Sequence, residues 1–227
     1  MNLNELIEAV YTETGRPDMV SETTQYVTAS IMKMHLRGRY LKDIQAAKIS
    51  FDNTGHIQTL DTSTLTGYRQ MIYLMPSDVN QTITTDLIPG CIPQDNRLPP
   101  LWWYFADDNP GGLIEIVEAA DIFDVQGFRK QNIAYQAGST LYIKTQRSIQ
   151  YLQAAWLRYP VISSDPDVFD SWIARELPYT IIFDAAAATF VKLGQQDQSR
   201  SYNSTDPENP GLVKSWLDLL DMNNVVG

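Results

Sequence analysis

The stretch DSWIARELPYTIIFDAAAATF, Asp170 to Phe190, places a proline inside a helical pattern and continues into a segment apolar on almost every side. Its reading decides the fold. Trp172, Ile173 and Glu176 belong to a first helical piece, and Pro178 marks the point where a second begins, because a proline in the first turn gives up an N–H that has no intrahelical partner. Between Ile181 and Val191 the one charged residue is Asp184, while Ala185 to Ala188 let neighbouring backbones approach closely. A helix that is hydrophobic all round must be buried all round. The expected surroundings are two N-terminal helices and the last helix, with part of this segment, or its neighbour bearing Trp172, facing an identical subunit.

The flanking segments supply those helices. Leu3, Leu6, Ile7, Val10 and Tyr11 recur at the spacing of one helix face, with Asn2 as a cap and Gly15 as the stop. After the Arg16-Pro17-Asp18 turn, Ser21 is placed to cap a second helix with Val27, Ile31 and Met34 on one stripe, ending near Gly38. Leu212, Trp216, Leu219 and Leu220 form the last helix. The polar run GQQDQSRSYNSTDPENPG, residues 194–211, reads as a linker or a loop that orders on a partner.

From about Ala46 to Pro160 the texture changes to short β-branched and aromatic runs separated by Gly, Pro, Asn and Asp. KISFDNTGHIQTL reads as a hairpin around Asn53 to Gly55, RQMIYLM as a strand, and LIEIVEA as an alternating strand. NIAYQAGSTLYIK gives two strands around Ala137-Gly138-Ser139, and SIQYLQAAWLRY a further long strand. Pro76 to Pro100 reads as a long loop or an excursion to the sheet edge. The expected fold is α+β, a helical bundle from the N- and C-terminal segments with an inserted antiparallel β unit. Its expected divisions are N-terminal bundle helices 1–45, a β domain 46–162, C-terminal bundle helices 163–205 and a C-terminal docking segment 206–227.

Composition narrows the function. The 227 residues are 44% hydrophobic, which suits a chain that buries a core. A net charge of −10 argues against tight binding to a phosphate backbone, which is driven by Lys and Arg displacing counterions. A protein surface is the expected partner, and an acidic wall past which nucleic acid slides also fits. Cys91 is the single cysteine, so no intrachain disulfide and no spaced thiolate zinc pattern exists. No basic n-region precedes an apolar run, and no run approaches the roughly 20 apolar residues of a membrane span. The expectation is a soluble protein made in the cytoplasm, without a membrane partner.

Candidate chemistry is thin. His35 and His56 stand in no spacing that would put two metal ligands on one face. There is no GxSxG elbow, P-loop or GxGxxG, and Cys91 lies between Gly90 and Ile92-Pro93 without a cue for an activating base. Asp107 and Asp108 follow the aromatic run Leu101-Trp102-Trp103-Tyr104-Phe105, which suggests glycan binding or cleavage on a Trp102/Trp103 platform. Adjacent residues in a strand point to opposite faces, however, so these two acids would not flank a common bond. The competing reading is a strand whose rings fill a core or an interface, closed by the ADDNPGG turn. Lys33, Arg37, Arg39 and Lys42 form a solvated face or an intersubunit ion-pair surface. No enzyme activity, metal or cofactor is expected.

Three groups of residues together resemble a known family. They are Leu6-Ile7-Glu8-Ala9-Val10-Tyr11 with Gly15-Arg16-Pro17-Asp18-Met19-Val20, then Tyr135-Gln136-Ala137-Gly138-Ser139-Thr140-Leu141, and Phe169-Asp170-Ser171-Trp172-Ile173 continuing through Leu177-Pro178-Tyr179 into Ala185-Ala186-Ala187. In these stretches and in element order the chain resembles tailed-bacteriophage head-to-tail adaptors, the head-completion or connector proteins that form a ring beneath the portal. The resemblance implies a non-catalytic virion protein of the neck, in a dodecameric ring of identical subunits that binds the portal protein and presents its other side to tail or nozzle components. DNA would pass through the ring without specific binding. It further implies a C-terminal segment that extends along the portal; Leu212, Trp216, Leu219 and Leu220 are the expected anchors there, and Trp172, Arg37, Arg39, Trp102 and Trp103 the expected subunit contacts.

Overall fold

A computed structural model describes residues 1–77, 114–118, 132–204 and 211–224. The chain divides into two compact units, Met1–Asp43 with Tyr159–Val226, and Ile44–Arg158.

The first unit is helical. Helix α1, Leu3–Thr14, opens with a reciprocal capping box between Asn2 and Glu5 and closes at Gly15, whose φ of +64° lies in the left-handed region that favours glycine. Helix α2 runs Val20–Arg37, and here the expected Ser21 cap is corrected: Met19 is the cap residue, and its carbonyl accepts from Thr23 N–H at 2.9 Å. Helical bonding therefore starts before Ser21, which lies inside the first turn. Helix α3, Trp172–Glu176, is capped by the Ser171 side chain, and α4, Pro178–Lys192, starts at the proline. The expected linker is also corrected, because α5, Gln196–Asn203, forms within it. Tertiary contact explains that helix: the Tyr202 ring lies 5.6 Å from Phe183 and 5.5 Å from Phe190, and its hydroxyl donates to Glu13 of α1. Helix α6 runs Leu212–Asn224.

Helix α4 sits at the centre, packed against α1, α2, α3, α5 and α6. Leu6, Val10, Ile31, Met34, Ile173, Ile181 and Ala185 belong to the surrounding core. The one acidic residue of α4, Asp184, is buried and answered from α2, where Ser30 Oγ donates to it at 2.7 Å and Lys33 Nζ at 2.5 Å. That pairing lets a carboxylate occupy an otherwise apolar helix.

The second unit corrects the expected fold class. The protein is α+β with six helices among the described residues, but its β part is a mixed sheet that nearly closes on itself, and the antiparallel insert on a bundle is overturned. Two long strands organise it, β1, Ile44–Asp61, and β5, Thr140–Arg158. The expected hairpin at Asn53–Gly55 is a pair of bulges. Strand β1 pairs with β5 from Ile44↔Leu157 to Ser50↔Tyr151, and again from Ile57↔Lys144 to Asp61↔Thr140. Each strand contributes extra residues between these stretches, so the offsets cancel and the register resumes. The Gln58 amide, donating to Asn53 O at 2.7 Å and Ile149 O at 3.0 Å, satisfies carbonyls at the irregularity. A continuous partner on β5 thus overrides the local turn signal.

Strand β2, Tyr68–Ser77, pairs antiparallel with the C-terminal half of β5, and β4, Ile133–Ala137, with its N-terminal end through the expected turn at Gly138, φ +61°. Strand β3, Glu115–Ile116, pairs parallel with β4, and Ile114 bridges to Leu74 of β2, its N–H donating to the Leu74 carbonyl at 3.0 Å. The circuit β5, β4, β3, β2 and back to β5 encloses Leu74, Ile114, Leu141, Ile143, Leu152 and Trp156. Alternation along a strand is what allows one face to fill this interior. Pro76 and Ser77 end β2, and the rest of the Pro76–Pro100 stretch lies outside the described residues.

Candidate functional site

Helix α6 carries two apolar stripes. Val213 and Leu220 are buried and Leu217 packs partly against the same core, at positions three and four apart. Leu212, Trp216 and Leu219 share a second stripe turned outward, with Leu212 44% and Leu219 43% exposed. The Trp216 ring lies 5.4 Å from that of Tyr179, itself 49% exposed at the start of α4. Tyr179 continues to Phe183 at 5.5 Å, so a ladder of rings runs from this outer face to Tyr202 and Phe190 inside the unit. One buried stripe suffices to seat a helix on its own unit. The second is apolar surface available to a partner. Among the four expected anchors, Leu212, Trp216 and Leu219 therefore lie together on the outer face, whereas Leu220 is fully buried in the core.

Three members of the basic group on and after α2 are engaged within the unit. Lys33 meets Asp184, Arg37 Nη2 meets Asp221 of α6 at 2.9 Å, and Lys42 pairs with Glu176 while its ammonium stands 5.1 Å over the Trp172 ring. The Asp221 hydrogen bond raises the Arg37 pKa. Arg39 is exposed. These ties join α2 to α4 and α6, and the turn Leu41–Asp43 to α3, a use for the cluster that sequence spacing alone did not disclose.

Trp172, expected at a subunit interface, is 5% exposed and engaged inside its own unit. Its Nε1–H donates to Asp43 Oδ1 at 2.8 Å, and its ring meets that of Tyr40 edge-on at 5.4 Å. Asp43 Oδ1 also lies 2.8 Å from His35 Nδ1, and His35 Nε2 lies 2.9 Å from Ser171 Oγ. A carboxylate only accepts, so Nδ1–H donates to Asp43. Ser171 Oγ accepts Ala174 N–H at 3.2 Å, and in the neutral imidazole its own proton goes to Nε2.

The order carboxylate, imidazole, hydroxyl is that of an activated serine nucleophile. Here, however, Ser171 is 1% exposed and caps α3, so its hydroxyl has no access to a substrate. The arrangement is a polar keystone that ties α2, the turn Leu41–Asp43 and α3 together. Sequence reasoning passed over it because its members stand 8 and 136 residues apart, with no local motif. The one signal was the presence of His35 on the helix face that Ile31 and Met34 mark as buried.

His56 lies in β1, its Nδ1 3.3 Å from the Thr145 carbonyl. Among the described residues no three His, Cys, Asp or Glu side chains stand together as metal ligands, and no helix is long and apolar enough to cross a membrane. Trp102, Trp103, Asp107, Asp108 and Cys91 lie outside the described residues. No protein-family model matches the chain, and no curated protein matches its sequence.

Proposed function

We propose that this protein is a structural adaptor of a tailed-phage neck, a subunit of a dodecameric ring that seats on the portal protein, extends the DNA channel and offers an attachment surface to tail components. The observation that carries the reading is the outward stripe of α6, Leu212, Trp216 and Leu219 with Tyr179 beside it. Large aromatic and aliphatic side chains held in place by a rigid body are the usual anchors of protein interfaces. The adaptor resemblance assigns its docking segment to this same C-terminal region. A net charge of −10 supports a wall that repels passing phosphates. The role needs no turnover.

The test is the mass of the purified protein, alone and mixed with its portal, by native mass spectrometry, for the wild type and for a Leu212→Ala, Trp216→Ala, Leu219→Ala variant. The expected result is a ring-sized species for the wild type and its loss, with the fold retained, in the variant. A wild-type protein that stays monomeric and ignores the portal overturns the adaptor reading. A variant that still assembles fully removes α6 from it.

A further inference from the structure

We infer that α6 is a strap that opens without unfolding the rest of the helical unit, and that the Arg37–Asp221 pair is its clasp. The helices differ sharply in how they are held. Helix α4 buries nine positions, Thr180, Ile181, Ile182, Asp184, Ala185, Ala186, Ala187, Thr189 and Phe190. Among the described side chains of α6, only Val213 and Leu220 are sealed, with Leu217 partly covered, while Leu212 and Leu219 are exposed. Local opening follows the amount of apolar contact that must be given up, so α6 opens at a lower free energy than α4. A helix of this length is marginal in water once detached, which couples undocking to fraying.

The clasp lies on the surface. Arg37 Nη2 meets Asp221 Oδ2 at 2.9 Å with the two side chains 44% and 39% exposed, and Asp218, one turn earlier, adds to the same field. An exposed pair is screened by salt and open to competition from an incoming charge. Opening uncovers Leu220 together with the core it fills and frees the inward apolar face of α6, Val213, Leu217 and Leu220. The closed subunit thereby keeps the Val213, Leu217 and Leu220 stripe out of reach. At the other end, the Gly211 N–H donates to the Ser204 carbonyl at 2.9 Å, which sets where the strap begins.

Hydrogen exchange read by mass spectrometry on the full chain tests this, at low salt and in roughly 0.5 M sodium chloride, for the wild type and for Asp221→Asn. Amides of α6 are expected to exchange well before those of α4. Loss of the clasp by mutation or by salt should speed α6 roughly two- to fivefold, the range of an exposed ion pair, and leave α1 and α4 unchanged. Exchange of α6 at the rates of α4, or acceleration of all helices alike, overturns the inference. The salt series on the wild type gives the same answer if Asp221→Asn fails to fold.

Discussion

Nδ1 of His35 stands 2.8 Å from Oδ1 of Asp43 with both side chains sealed from solvent, and the same oxygen accepts the Trp172 indole N–H. One carboxylate atom thus orients an imidazole from α2 and an indole from α3. Replacing Asp43 by Ala leaves two buried donors without an acceptor, a loss expected to destabilise the protein by about 3 to 5 kcal/mol. Urea unfolding followed by tryptophan fluorescence measures it. Ser171→Ala removes the α3 cap and a partner of His35, with an expected loss of about 1 to 2 kcal/mol. Serine-directed fluorophosphonate should leave Ser171 of the folded wild type unlabelled, and labelling there would refute the keystone role.

Leu219 and Leu220 are adjacent on α6, one 43% exposed and the other fully buried. Leu220→Ala is expected to destabilise the fold by about 2 to 5 kcal/mol through lost burial and a cavity. Leu219→Ala should stay within about 0.5 kcal/mol. Thermal unfolding of the two variants separates a folding role from a docking role, and equal losses would contradict the assignment of the stripes.

A Cβ on Gly211 would lie 2.4 Å from the Tyr202 carbonyl oxygen and 2.5 Å from the Ser204 nitrogen, both backbone atoms that cannot swing aside. Gly211→Ala should therefore displace the start of α6, at roughly 1 to 3 kcal/mol. The Trp216 emission should shift as its contact with Tyr179 loosens, and an unchanged spectrum and stability would show that the closure yields freely.

Asp18, in the turn between α1 and α2, has its carboxyl held down to about 2, chiefly by the hydrogen bonds from the Arg16 guanidinium. A folded-state pKa depressed in this way adds stability that is present above the ordinary carboxylate range and fades as the pH falls toward 2. The pair is exposed, so the visible effect is the titration itself. Carbon NMR of the Asp18 carboxyl should give a midpoint near 2, and Arg16→Gln should return it toward the ordinary value of about 3.9.

The same distinction runs through the whole fold. The Asn2 cap, Pro178 at the start of α4 and Gly138 in its turn were legible because each acts within a few residues through backbone geometry. The all-round apolar pattern of Ile181 to Phe190 likewise required burial on every side, whatever the neighbours. Where a distant partner decides, the local signal failed: Asn53 to Gly55 carries turn residues, yet pairing with β5 on both sides carries the strand through as bulges. Polar residues 196–203 lack a helical stripe, yet Tyr202 seated on Phe183 and Phe190 makes α5. The site divides in the same manner. The sequence by itself determined that α6 is a helix carrying Leu212, Trp216, Leu219 and Leu220, and that Trp216 is a large aromatic able to anchor a partner. Only the tertiary structure decided that Leu220 turns inward while Leu212, Trp216 and Leu219 turn outward, because which arc of a helix is covered depends on where the rest of the chain lies. It likewise decided that His35, Asp43, Ser171 and Trp172 meet, since those contacts join segments that sequence spacing leaves far apart.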